Sequence, residues 1–149
     1  QLLDRGMDLL KGREAIALEQ KALAPFASQD FVQADPSDYG NKVRDEMENR
    51  GHTEAYIVNA EGSLLGKLNI YQAIACQDGN VGEFMDKTPI TLYGDESLNE
   101  AMIKVSQFVG ESLPVVEKGS NRLIGSIAEG ELFQAVIDVQ SEARTIERD

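Results

Sequence analysis

The chain has 149 residues, 42% hydrophobic and 27% charged, with a formal net charge of −12. That length allows one ordinary domain or two small joined halves, with enough core to need no disulfide or metal staple. The acidic surplus excludes long-range attraction to DNA, RNA or anionic lipid, so no nucleic-acid partner is expected. No apolar run approaches the ~20 residues of a membrane helix, and no secretory signal pattern opens the sequence. The first residue is Gln rather than Met, which points to a piece of a longer protein. A lone cysteine, Cys76, cannot form an internal disulfide. It reads as a small core hydrophobe in a chain suited to a reducing cytosol.

Residues 1–23 are charge-balanced and stand apart as a linker or capping segment. Leu2, Leu3, Met7, Leu9 and Leu10 are interrupted by Gly6 and Gly12, and Arg13 to Leu23 then reads as a helix covering an open edge. A first unit spans 24–80. Phe31-Val32-Gln33-Ala34 is a short strand, and Asp35-Pro36-Ser37-Asp38 supplies turn and N-cap residues. The helix that follows carries Tyr39, Val43 and Met47 as its apolar stripe and stops at Arg50-Gly51. A hairpin comes next, from Glu54 to Leu68, then a helix from Ile70 to Gln77.

A second unit spans 81–140. Pro89-Ile90-Thr91-Leu92-Tyr93 is its short strand, and Ser97 with Glu100 has capping-box spacing. Leu98, Met102, Val105, Phe108 and Val109 form the helix stripe. The hairpin returns from Ser112 to Ile127, and the last helix runs from Glu129 to Gln140, leaving 141–149 as a fraying charged tail.

The two hairpins share one grammar. Ala55 maps to Leu113 and Val58 to Val116 at an offset of 58, while Leu65 maps to Ile124 and Gly66 to Gly125 at 59. One residue has therefore been added inside the second turn. Each unit reads β-α-β-β-α, and two copies can bury against each other the apolar faces that one copy would expose. The expected fold is α/β (α+β), with two pseudo-twofold-related β-α-β-β-α units packed through their sheets.

On these residues the chain resembles a tandem pair of CBS (cystathionine-β-synthase) domains, a Bateman module. The resemblance lies in Phe84-Met85-Asp86-Lys87-Thr88-Pro89-Ile90-Thr91-Leu92, Leu113-Pro114-Val115-Val116-Glu117 and Leu123-Ile124-Gly125-Ser126-Ile127 before Glu129-Gly130-Glu131-Leu132. The first copy carries it through Tyr56-Ile57-Val58-Asn59 and Leu64-Leu65-Gly66-Lys67-Leu68. The opening Asp4-Arg5-Gly6-Met7-Asp8-Leu9 with Lys11-Gly12-Arg13-Glu14 resembles the linker after the last membrane helix of prokaryotic CLC-type chloride channels and transporters. Together these imply a regulatory and dimerisation domain on the cytoplasmic face of the inner membrane. It would form a homodimer through the CBS helices and partner the transmembrane domain of the parent chain.

No constellation for catalysis or metal binding is visible, so no enzymatic activity is expected. The CBS resemblance implies a regulatory ligand such as AMP, ADP or ATP in the cleft between copies. In that family a Gly-x-x-[Thr/Ser]-x-x-Asp run holds phosphate and ribose. Here the first copy has Gly66, Asn69 and Gln72, and the second has Gly125, Ala128 and Glu131. Asn69 keeps a phosphate donor and a helix cap, whereas Gln72 binds a diol less strongly than a carboxylate. Ala128 lacks the hydroxyl, and Glu131 keeps the carboxylate one methylene further out. Lys67 or Arg122 would add positive charge if it faced the cleft, and Ile127 is an apolar strand residue beside it. Two other readings stay open: a nucleotide sensor, free-standing or on a soluble enzyme, and a purely structural assembly domain.

Overall fold

The computed structural model describes residues 12–148, and side chains as far as residue 145. The apolar stretch of residues 2–10 and the linker resemblance up to residue 11 lie outside it. After a first helix, α1 (12–20), the chain forms two copies of one unit. The first is β1 (Val32–Ala34), α2 (Gly40–Arg50), β2 (Glu54–Val58), β3 (Leu64–Asn69) and α3 (Ile70–Cys76). The second is β4 (Leu92–Tyr93), α4 (Leu98–Val105), β5 (Leu113–Val116), β6 (Leu123–Ile127) and α5 (Glu129–Arg148). Each unit has its own three-stranded sheet, ordered β1-β2-β3 and β4-β5-β6. The first pairing in each is parallel and the second antiparallel.

The hairpin correspondence holds in the register. Ile57 pairs with Gly66 and Val115 with Gly125, and both hairpins shift register one step later, at Ile57/Val58 and Val115/Val116. The added residue of the second turn lies where Gly119 and Asn121 adopt positive φ, at 97° and 61°.

Strand alternation assigns two faces to each sheet. Ala55 and Ile57 join Val43, Met47 and Ala73 in one core, while Leu113 and Val115 join Leu98, Leu132 and Val136 in another. The opposite faces meet in a third cluster of Tyr56, Leu64 and Val116, flanked by Phe31, Tyr93 and Leu123. All of β5, and β2 from Ala55 onward, is buried for this reason.

The units also exchange chain. The segment before β4 crosses β3, where Lys67 N donates to Asp86 O (2.9 Å) and Asp86 N to Lys67 O (2.8 Å). The segment before β1 crosses β6 in the same way, through Ser126 N to Ser28 O (2.9 Å) and Ser28 N to Ser126 O (2.7 Å). A glycine underlies each crossing. A Cβ on Gly66 would lie 2.6 Å from Asp86 O, and one on Gly125 would lie 2.7 Å from the Ala27 Cβ and 3.0 Å from Ser28 O.

Residues 12–24 pack on the second unit. Leu18 and Leu23 are buried in its core, and Leu23 N and Ala24 N donate to Glu96 O and Gly94 O. This segment thus supplies core as well as cover.

Four local expectations are corrected. Tyr39 is the N-cap of α2 and 59% exposed, because Asp35 and Asp38 bond within their own turn instead of capping the helix. Gly40 takes its place on the buried stripe. Helix α4 stops at Val105, so Phe108 packs against the second unit's core from beyond the helix end while Val109 is 97% exposed. Strand β4 is only Leu92–Tyr93. Helix α5 continues to Arg148 where a frayed tail was expected, and the Arg144 Nε to Glu14 Oε1 bond (2.6 Å) ties this extension to α1.

Gly66→Ala places a methyl against a backbone carbonyl that the sheet holds in place. It is expected to destabilise the fold by about 1–3 kcal/mol, read in thermal unfolding as about 2–4 °C for each kcal/mol. An unchanged midpoint would show that the crossing is slack.

Candidate functional site

A cavity of about 530 Å³ opens at the β3-to-α3 junction. Its walls come from three separated stretches: Glu54, Lys67, Asn69 and Gln72 of the first unit; Asp86 and Thr88 to Ile90 at the crossing; and Gln107 to Val109 after α4. The crossing over Gly66 sets Thr88-Pro89-Ile90 opposite Asn69 and Gln72. The early stop of α4 turns Phe108 and Val109 toward the same space.

Asn69 and Gln72 form a complete capping box. Asn69 Oδ1 accepts from Gln72 N and Gln72 Oε1 accepts from Asn69 N, both at 2.8 Å. Each side chain therefore uses its oxygen locally and keeps its NH₂ group as a donor. Lys67 is only 8% exposed. Its Nζ lies 2.9 Å from Glu54 Oε2, 2.5 Å from the Ser112 carbonyl and 4.6 Å from the Phe108 ring centre. Burial lowers the Lys67 pKa, and the Glu54 carboxylate opposes that shift. Glu54 is fixed in turn, since its Oε1 accepts from the amides of Glu111 (2.6 Å) and Ser112 (3.1 Å).

The expected site residues divide between the two junctions. Lys67, Asn69 and Gln72 line the cavity. Ile127, Ala128 and Glu131 sit at the pseudo-equivalent junction after β6 and do not line it. Ile127 is fully buried core. Glu131 Oε1 accepts from Ala128 N at 2.9 Å, so one carboxylate oxygen serves the start of α5. Arg122 pairs with Glu117 at 3.2 Å, on the surface. Sequence reasoning missed Glu54 and the Thr88-Pro89-Ile90 and Gln107-Phe108-Val109 walls. The Thr88-Pro89-Ile90 wall had a sequence signal in its place within the matched second-unit stretch. The wall around Phe108 had none, because a continued helix would have turned it elsewhere.

The equivalent region of the other half carries a charged latch. His52 Nδ1 lies 2.7 Å from Glu111 Oε1, and its Nε2 lies 3.0 Å from Asp30 Oδ1. Arg50 reaches the same Asp30 oxygen at 3.5 Å. Glu111 Oε2 accepts from Thr53 N at 2.9 Å and lies 3.2 Å from Thr53 Oγ1. The hydrogen bonds to Asp30 and then to Glu111 raise the His52 pKa above 6.5. Burial alone would raise that of Glu111, but hydrogen bonds from His52 and Thr53 outweigh it and hold it low. Among the described residues, no cluster of His, Cys, Asp or Glu is arranged to hold a metal.

Residues 81–138 match the CBS-domain family. The CBS domain pair/ACT domain protein of Thermotoga maritima superposes with a TM-score of 0.71 at 18% identity, covering 79% of this chain and 98% of that one. The fold is that of a CBS-domain pair. CBSX2 from Arabidopsis thaliana, in complex with AMP, gives 0.70 at 18% identity over 80% of this chain and 98% of its own. The cytosolic domain of the Mg2+ channel MgtE, in complex with ATP, gives 0.65 at 18% identity over 73% of this chain and 46% of its own. No curated protein matches by sequence.

The latch has a defined pH dependence. A raised His52 pKa means that its contribution is full below pH 6.5 and is lost as pH rises through the folded value. The lowered pKa values of Asp30 and Glu111 mean that theirs is present at neutral pH and lost only in acid. The stability gap between the native chain and His52→Gln should therefore shrink steadily as pH is raised from about 6.5. Denaturant unfolding across that range reads it, and a gap that widens with pH would refute the latch.

Proposed function

We propose that this chain is a regulatory, ligand-sensing module that binds an adenosine-containing ligand at the β3-to-α3 cavity. One observation carries the reading: both units build the cavity, so filling it bears directly on how they sit against each other. Its volume of about 530 Å³ falls within the ~300–1,000 Å³ range of small-molecule sites. Pro89, Ile90, Phe108 and Val109 offer apolar surface for a base, while Asn69 and Gln72 offer donors for ribose oxygens or adenine ring nitrogens. The AMP and ATP complexes of two proteins with this fold support the ligand class. A ligand that prefers one arrangement of the two units shifts the module toward it by its differential affinity.

We place the module on the cytoplasmic side of a membrane transporter of the CLC chloride class, partnered with that transporter's transmembrane domain. The support is the linker-like run from Asp4 to Glu14, together with the use of this fold as the cytosolic domain of MgtE. Among the described residues no helix is long and apolar enough to cross a membrane, so transport itself would belong to other parts of a longer protein.

A homodimer through the helices fits the exposed apolar side chains. Ile74 (40% exposed) and Phe133 (51%) occupy equivalent positions in α3 and α5, joined by Tyr71 (79%) and Ile137 (53%). Equivalent patches on pseudo-symmetric helices suit an isologous interface.

Two measurements test the proposal. Calorimetric titration with adenosine, AMP and ATP should give saturable one-site binding by at least one of them. Gln72→Ala or Ile90→Asp should weaken that binding by about tenfold or more, at roughly 1.4 kcal/mol per decade. Heat-free titrations with all three would sink the sensing role. Sedimentation at about 50 micromolar, an ~6 kcal/mol standard-state threshold, should show a dimer that the Ile74→Glu/Phe133→Glu variant converts to monomer. A native chain that stays monomeric there would remove the dimer.

A further inference from the structure

Resting on the reading of the cavity as an adenosine-class site, we infer that it selects an uncharged nucleoside over a phosphorylated one. The groups that would hold a phosphate here are engaged by the protein itself.

Three formal charges line the cavity: Glu54, Lys67 and Asp86. The one cation among these lining residues is locked. Lys67 Nζ donates to Glu54 Oε2 (2.9 Å) and the Ser112 carbonyl (2.5 Å), with the Phe108 ring beside it at 4.6 Å. An ammonium has three donors, so little remains to turn toward an incoming oxyanion. Glu54 cannot swing away readily, because its other oxygen accepts from the amides of Glu111 and Ser112. Asp86 is exposed at the wall, with Oδ1 accepting from Thr88 N at 2.9 Å. The lining thus carries a net negative charge within a chain whose overall charge is −12. Lys87, next in sequence, is exposed and does not line the cavity.

Three backbone amides of the junction are also engaged. Asn69 N is held by Gln72 Oε1, Gln72 N by Asn69 Oδ1, and Ile70 N by Thr53 O at 2.8 Å. A strand-to-helix junction ordinarily cradles phosphate with such amides. What remains is neutral: the NH₂ groups of Asn69 and Gln72, which suit ribose hydroxyl or ring-nitrogen acceptors, the side chains of Thr88 and Gln107, and the apolar surface of Pro89, Ile90, Phe108 and Val109. That combination fits a base and a ribose and opposes a dianion.

The test titrates the 149-residue chain with adenosine, AMP, ADP and ATP at low and high salt. Adenosine is expected to bind at least tenfold tighter than AMP, and ADP and ATP more weakly still. Added salt should leave adenosine unaffected and improve AMP by screening repulsion. Glu54→Gln removes the partner charge and releases that of Lys67, so it should shift the AMP-to-adenosine preference at least tenfold toward AMP. Asp86→Asn sits on the exposed wall and keeps its acceptor for Thr88, so it should shift the preference in the same direction even if Glu54→Gln folds poorly. AMP or ATP binding the native chain as tightly as adenosine, or neither variant changing the ratio, would overturn the inference and leave the adenosine-class site standing. Binding by none of the four would overturn both.

Discussion

The structure depends on two backbone crossings, each of which needs a glycine beneath it. At Gly66 the lead-in to the second unit passes over β3, and at Gly125 the lead-in to the first passes over β6. Each crossing is a reciprocal pair of backbone hydrogen bonds that only close approach permits. The exchange fixes the units relative to each other before any side chain is considered. The Tyr56, Leu64 and Val116 cluster then fills the space between the sheets. A cavity beside β3 follows from the same crossing, because the chain that passes over Gly66 supplies Asp86, Thr88, Pro89 and Ile90 to its wall.

The pseudo-symmetry of backbone is not matched by symmetry of charge. Two glutamates tie the units together at equivalent turns: Glu54 receives the amides of Glu111 and Ser112, and Glu111 receives that of Thr53. From there the halves diverge. Glu54 neutralises a buried lysine at the back of an open cavity, whereas Glu111 pairs with His52 in a latch that Asp30 completes. A buried pair such as Glu54–Lys67 is weak evidence for stability, since desolvation offsets much of its attraction. Its consequence here is electrostatic: it leaves the cavity without a free cation among the lining groups. One scaffold therefore presents a ligand-sized space on one side and a charged, pH-sensitive contact on the other.

The repeat was legible because the features that carry it are local. Strand alternation, turn residues and the two glycines are set by neighbours within a few positions, so the β-α-β-β-α order and hairpin register followed from the sequence. Asn69 and Gln72 were also legible as junction residues, because helix starts have a short-range signature. Their mutual capping was harder to read, since two amides at this spacing can either bond each other or face a ligand. The ends of helices were less legible. Phe108 and Val109 continue the periodicity of α4, yet the helix stops at Val105, and Tyr39 fits the α2 stripe yet stays exposed. Apolar spacing reports which residues would share a face if the helix continued, and says nothing about where tertiary contacts end it.

By itself the sequence determined a doubled unit, an acidic composition, and the residue types at the two junctions, Asn69 and Gln72 in one and Ala128 and Glu131 in the other. Those are properties of residue identity and local spacing. The tertiary structure decided which junction has an open cavity, that Lys67 is held by Glu54 and Ser112, and that His52 is held between Asp30 and Glu111. The Lys67–Ser112 and His52–Glu111 pairings join residues 45 and 59 positions apart in different units, and exist only once the crossings at Gly66 and Gly125 bring the two units together.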